Sequence, residues 1–247
     1  MAYIVLGRSG AVTFGSSYLG QVKGKNKMKI EIVSDTEYTI SELLIDQMHS
    51  RRYCIFDVEA TGPDEMEDQI TQIGAILLDA SSGKVEKTLE TLVKPSKRIP
   101  AAIERLTGIY NQDVEQAPSF SEIFQDFVDF TEGTVLVTQA GYEFDWPLLQ
   151  NECRRHEIMM LSNSILDTKV LFTYLYPEIK DVISTNLLIR HLEIDDSDIQ
   201  RHTALGDSIL IGRIFAKLLI ELELRELVKI EIEQPLLVKR VQFEKIM

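Results

Sequence analysis

Three apolar stretches in close succession, residues 53–59, 70–79 and 85–93, narrow most sharply what this chain can fold into. Each is rich in Ile, Val and Leu, and Ser81-Ser82-Gly83 supplies a turn between the last two, so the expectation is a meander of three antiparallel strands. The pattern then changes. Pro100 opens a short helix through residue 106, and Ser119 with Glu122 forms a capping box at the head of an amphipathic helix reaching residue 130. Residues 135–138 read as a fourth strand, 145–155 as a helix and 165–166 as a short fifth strand. Residues 168–174, 186–192 and 203–224 read as helices. A strand meander followed by alternation with helices implies an α/β chain, with a five-stranded mixed sheet flanked by helices.

The 247 residues, 45% of them hydrophobic, suit one core with short appendages. The expected division is an N-terminal extension at 1–49, a central domain at 50–224 and a C-terminal tail or added strands at 225–247. Within the extension, residues 29–33 read as a strand and 40–48 as a short helix, while Lys23, Lys25, Lys27 and Lys29 read as a solvated charge run. The only apolar run near the start, residues 3–6, is too short for a signal peptide or membrane span, so a soluble cytoplasmic protein is expected. Cys54 and Cys153 lie in no C-x-x-C pair and read as core residues of a reducing compartment. A net charge of -13 disfavours a tight reader of DNA sequence, although a protein holding divalent cations can approach phosphate through them.

Chemistry concentrates in three short strings. In Phe56-Asp57-Val58-Glu59-Ala60-Thr61-Gly62 the two acids are two apart on a strand, so both carboxylates leave the same face and Phe56 and Val58 the other. At about 4 Å and an effective dielectric of 20, such a pair repels by about 4 kcal/mol. A cation should lie between them, and hard Mg²⁺ or Mn²⁺ suits oxygen ligands best. The second string, residues 139–149, places Asp145 after a strand, a glycine turn and an aromatic, at a helix start that favours an anion. Alone, Asp145 is most simply a helix cap. The third is His202-Thr203-Ala204-Leu205-Gly206-Asp207. Its end residues converge only if His202 precedes the helix and Asp207 lies in the first turns; alone, His202 reads as a surface or satisfied core residue and Asp207 as an exposed helix face.

Taken in order, the three strings resemble the DEDD family of exonucleases in its histidine-bearing branch, which includes proofreading subunits of bacterial DNA polymerase III and RNA-trimming enzymes. The resemblance spans residues 52–222, including Leu106-Thr107-Gly108-Ile109 and Ala117-Pro118-Ser119-Phe120. It implies a ribonuclease H-like fold and a 3′-to-5′ exonuclease acting on single-stranded DNA or RNA ends. It implies further that Asp57, Glu59, Asp145 and Asp207 hold two divalent ions and that His202 is the general base. Histidine suits that role because its ordinary pKa of about 6.5 leaves it mostly neutral at physiological pH. The backbone near Thr61 and the side chain of Leu106 are implied to contact the terminal nucleotide, although Leu106 reads equally well as an ordinary core leucine.

One departure concerns the substrate sugar. Where many relatives have His-Asn before the second acidic motif, this chain has Ala140-Gly141, a pattern closer to the RNA-trimming branch. Asp167-Thr168 also matches a recurring family element and reads as a helix N-cap outside the site. The readings kept beside a general exonuclease are an RNA-specific maturation or degradation enzyme and a catalytically inactive binding or scaffold module. The implied partners are a single-stranded 3′ end and a polymerase or RNA-processing complex.

Overall fold

A computed structural model describes residues 11–13 and 28–241. Residues 3–6 and Lys23, Lys25 and Lys27 lie outside the described residues. The central sheet has five strands: β5 (Arg52–Ala60), β6 (Ile70–Asp79), β7 (Lys84–Leu92), β8 (Val135–Thr138) and β9 (Ile165–Asp167), in the order β7-β6-β5-β8-β9. The expected meander forms β7-β6-β5 with antiparallel pairing, whereas β5, β8 and β9 run parallel. Parallel neighbours need a crossover. The first crossover carries α1 (Ala101–Thr107) and α2 (Phe120–Phe130), the second α3 (Asp145–Arg155). The remaining helices are α4 (Thr168–Leu175), α5 (Thr185–His191) and α6 (Ala204–Leu224).

The two-residue alternation of β5 sorts its side chains between layers. Phe56 meets Phe127 of α2 edge-on at 5.8 Å, while Tyr53, on the opposite face, meets Phe215 of α6 at 4.6 Å. Asp57 and Glu59 therefore share the α6 face. The core is closed by Leu210, Ile214, Leu218 and Leu222 of α6, all buried. Cys54 and Cys153 are buried and unbridged, as expected of core residues. The Ser119 capping box is present, and Asp167 caps α4 by accepting a hydrogen bond from the Lys169 N–H.

The end segments need one correction. Residues 40–48 are not helical: β3 (Glu37–Ser41) and β4 (Leu43–Ile45) occupy them, followed by a single 3-10 turn at Met48–Ser50. Ile40, Leu43 and Ile45 are buried while Leu44 is exposed, and Glu42 takes a left-handed φ of 57° that turns the chain between two sheets. Tertiary burial on one face outweighs helical propensity here. β1 (Ala11–Thr13), β2 (Lys29–Ser34), β3 and β11 (Leu236–Lys239) make a four-stranded antiparallel sheet, and β10 (Ile230–Ile232) pairs with β4. The residues after 225 thus add strands, and they pair with the N-terminal extension.

Candidate active site

Asp57 and Glu59 end β5 beside the head of α6. Each, together with Asp207, offers a carboxylate oxygen, and the three oxygens lie within 4.8 Å of one another. Burial pushes the Asp57 carboxyl well above the ordinary range, and the neighbouring charges of Asp145, Glu59 and Asp207 raise it further. Glu59 is pushed up to about 8 by burial, then by Asp207 and Asp145. Without a cation Asp57 and Glu59 favour their protonated forms.

The approach of α6 depends on its neighbours across the sheet. In the β5-β6 register Asp57 faces Gly74 and Glu59 faces Gln72. A Cβ at Gly74 would lie 2.1 Å from the Ala204 carbonyl carbon, so only glycine admits the helix head this close. Gln72 Oε1 accepts the Ala204 N–H at 2.9 Å, and the Ser208 hydroxyl donates to Gly74 O at 2.9 Å. These contacts bring Asp207, in the first turn of α6, against β5. Sequence reasoning passed over Gly74 and Gln72 because their partners lie about 130 positions away.

His202 sits on the loop before α6, the arrangement that lets it and Asp207 approach. Its backbone N–H donates to Asp207 Oδ2 at 2.8 Å, and its φ of 60° is left-handed. Such backbone in a non-glycine residue is uncommon and clusters at working sites. The imidazole is exposed. Arg201, unremarked in the sequence, donates from Nε to Asp207 Oδ1 at 2.7 Å, so a guanidinium partly balances the cluster.

Asp145 begins α3 and is buried. Its Oδ2 accepts a hydrogen bond from the Thr138 hydroxyl at 2.6 Å. Its carboxyl is pushed up to about 7: burial raises it, the Thr138 bond lowers it, and Asp167 and Asp207 raise it again. The turn before it is tight. Ala140 has a φ of 56°, and a Cβ at Gly141 would lie 2.2 Å from Thr138 Cγ2, which accounts for glycine there. Asp167 accepts the N–H groups of Ala140 and Tyr142 at 3.1 and 3.3 Å, so it braces this turn from outside the cluster.

The two implied substrate contacts differ in setting. Leu106 on α1 is 46% exposed and is not the core leucine of the alternative reading. Thr61 is fully buried; its hydroxyl donates to Asp68 and its N–H to Gln69 O, so both donors hold the loop after β5.

A family model described as an exonuclease of RNase T type matches residues 54–215, the sheet and helices that carry all four acids and His202. The chain belongs to the RNase T exonuclease family. A DNA polymerase III PolC-type protein of Caldanaerobacter subterraneus subsp. tengcongensis is 30% identical over 171 residues, covering 69% of this chain and 12% of that protein. A DNA polymerase III subunit epsilon-like protein of Rhodobacter capsulatus is 32% identical over 195 residues, covering 77% and 26%. The chain thus spans about a quarter or less of these curated relatives. In fold it is similar to the nuclease domain of 3′hExo, described as a DEDDh family member bound to rAMP, with a TM-score of 0.63 and 22% identity, covering 70% of this chain and 94% of that one. The fold is therefore the ribonuclease H-like exonuclease fold.

The cluster fits what this family holds. Its donors are carboxylate oxygens, the ligand type of hard divalent cations, and the repulsion among them is the kind a cation relieves. Among the described residues no helix is long and apolar enough to cross a membrane.

Proposed function

We propose that this chain is a metal-dependent 3′-to-5′ exonuclease that releases nucleoside 5′-monophosphates one at a time from single-stranded ends. The observation that carries this reading is the convergence of Asp57, Glu59 and Asp207, adjoined by Asp145, where β5 meets the head of α6. These four acids would hold two Mg²⁺ or Mn²⁺ ions, which when bound offset charge on the reacting phosphate and ease deprotonation of water. His202, on its exposed loop, accepts the proton of the attacking water. Leu106 presents an apolar surface to the last base, and the loop held by Thr61 borders the terminal nucleotide.

Contact through charge and an apolar side chain provides no means of reading base identity, since base-edge hydrogen bonding is not involved. A paired end must first unpair and unstack. The expected result is stepwise shortening of single strands, slower digestion of blunt duplexes and little dependence on base. The turn at Ala140-Gly141 leads to the expectation that RNA is cleaved beside DNA. Matched 5′-labelled DNA and RNA strands, resolved by length over time, test both points. Internal cuts or consumption from the 5′ end overturn the reading. A polymerase or RNA-processing assembly is the partner class this activity would serve.

Metal binding should also register in stability. Ions that bind only the folded state at a hundredfold excess over Kd add about 2.7 kcal/mol, or about 5–10 °C in Tm for a chain of this size. The increment should depend on pH. Glu59 and Asp145, raised to about 8 and about 7, stabilise the metal-free fold most fully below the ordinary carboxylate range and lose that contribution as pH rises through those values. Binding must expel the same protons. The Mn²⁺-induced rise in Tm is therefore expected to be larger at about pH 8 than at about pH 5.5. An increment independent of pH would place the ions elsewhere.

A further inference from the structure

The turn that delivers Asp145 is tied to the end segments of the chain. Two residues before Asp145, the Glu143 carboxylate is buried and engaged at both oxygens: Oε1 pairs with the Lys169 ammonium, and Oε2 accepts the Val241 N–H at 2.7 Å. Lys169 lies in the first turn of α4 and has 0% exposure, so its charge is compensated inside the protein. Val241 follows β11, which pairs with β3, and the Arg240 N–H donates to Thr36 O at 2.8 Å. Tyr38 of β3 is buried beside the same charges, and its hydroxyl and Arg240 Nε are buried without a protein hydrogen-bond partner. The family match ends at residue 215 and begins at 54, so both strands of this contact lie outside it.

We infer that Glu143 and Lys169 are positioning residues for the proposed metal site, and that β3 and β11 form an accessory clamp holding the 139–144 turn so that Asp145 faces Asp57. The inference rests on the metal-site reading above. A group that orients a ligand from behind typically changes metal affinity 10–100-fold when removed. The turn also carries the left-handed Ala140, a conformation that persists only where surrounding contacts hold it. Relaxation would move the ligand while leaving its chemistry intact, so excess metal should restore much of the lost turnover.

The test uses the full chain. Replacing the buried pair together, Glu143→Leu with Lys169→Met, removes the pin and both of its charges. Val241→Pro removes the N–H that reaches Glu143 and leaves the Glu143–Lys169 pair in place. Mn²⁺ titration by calorimetry, metal-free melting, and kcat and KM on single-stranded DNA at low and saturating Mn²⁺ are read for each. The expected result is cooperative melting, an Mn²⁺ Kd weakened by about 10–100-fold, and kcat recovering at saturating Mn²⁺ with little change in KM. A folded double variant with wild-type Mn²⁺ affinity overturns the inference; if that variant does not fold, Val241→Pro decides by the same criterion. If Asp57→Asn binds Mn²⁺ as tightly as the wild type, the metal-site reading itself fails, and this inference fails with it.

Discussion

Replacing Asp57 or Asp145 by alanine is expected to abolish nucleotide release while the protein remains folded, and chelation of divalent metal is expected to do the same to the wild type. Loss of one preorganised donor at a reacting oxyanion costs about 10²–10³ in kcat, and loss of an acid that holds a cation beside the phosphate should exceed that. Survival of the fold follows from the character of the site. Asp57 is buried among Asp145, Glu59 and Asp207, all of which raise its pKa, so near neutral pH without a cation its carboxyl must take up a proton or bear an unfavourable charge, and either opposes folding. Asp57→Asn removes that titration at nearly constant shape and should raise the Tm of the metal-free protein slightly while abolishing the Mn²⁺ response. Asp145→Ala forgoes the Thr138 hydrogen bond at 2.6 Å and the acid in the first turn of α3, and it relieves the buried carboxyl. The checks are nucleotide release from end-labelled single strands and melting with and without Mn²⁺. Full-rate release by chelator-treated wild type, or by folded Asp57→Ala, would show that these carboxylates do not hold the reaction's cations.

His202→Ala is expected to lower turnover by about two to four orders of magnitude, the range for loss of a general base, with Mn²⁺ binding largely retained. The structure explains why the two effects should separate. His202 contacts Asp207 through its backbone N–H, at 2.8 Å, and any residue other than proline keeps that bond. What alanine removes is the exposed imidazole. The left-handed backbone at this position is better tolerated by histidine than by alanine, so alanine adds a small conformational cost. His202→Asn serves as the companion variant, since asparagine tolerates that conformation and lacks a comparable base. Both variants should lose kcat by similar factors while their calorimetric Mn²⁺ Kd stays near that of the wild type. A folded variant with wild-type turnover would return His202 to a surface loop residue.

The parts of this protein that a reader of the sequence alone recovers are those set by short-range periodicity. The three-strand meander with its Ser81-Ser82-Gly83 turn, the Ser119-Glu122 capping box and the shared face of Asp57 and Glu59 follow from a two-residue or 3.6-residue repeat and from local turn chemistry. The Asp167 cap of α4 belongs to the same class, as its side chain bonds two residues along. Even the placement of His202 before α6 and Asp207 within it was a geometric necessity of their spacing, provided the two were to meet.

Residues 40–48 mark the boundary of that legibility. Ile40, Leu43 and Ile45 gain a buried face only when β10 and β11 return from the far end of the chain to pair with β4 and β3, and without those partners a helix is a reasonable local solution. Arg201 is an ordinary surface residue in sequence and becomes a counter-ion only beside Asp207. No local pattern marks Gly74, whose part is set when α6 is laid against it, or pairs Glu143 with Lys169, which the fold buries together. Periodicity along the chain determined which face each strand offers. Which distant segment covers that face, and which buried charge finds its partner, was decided by tertiary packing, because burial and Coulomb energy depend on neighbours in space that no local pattern records.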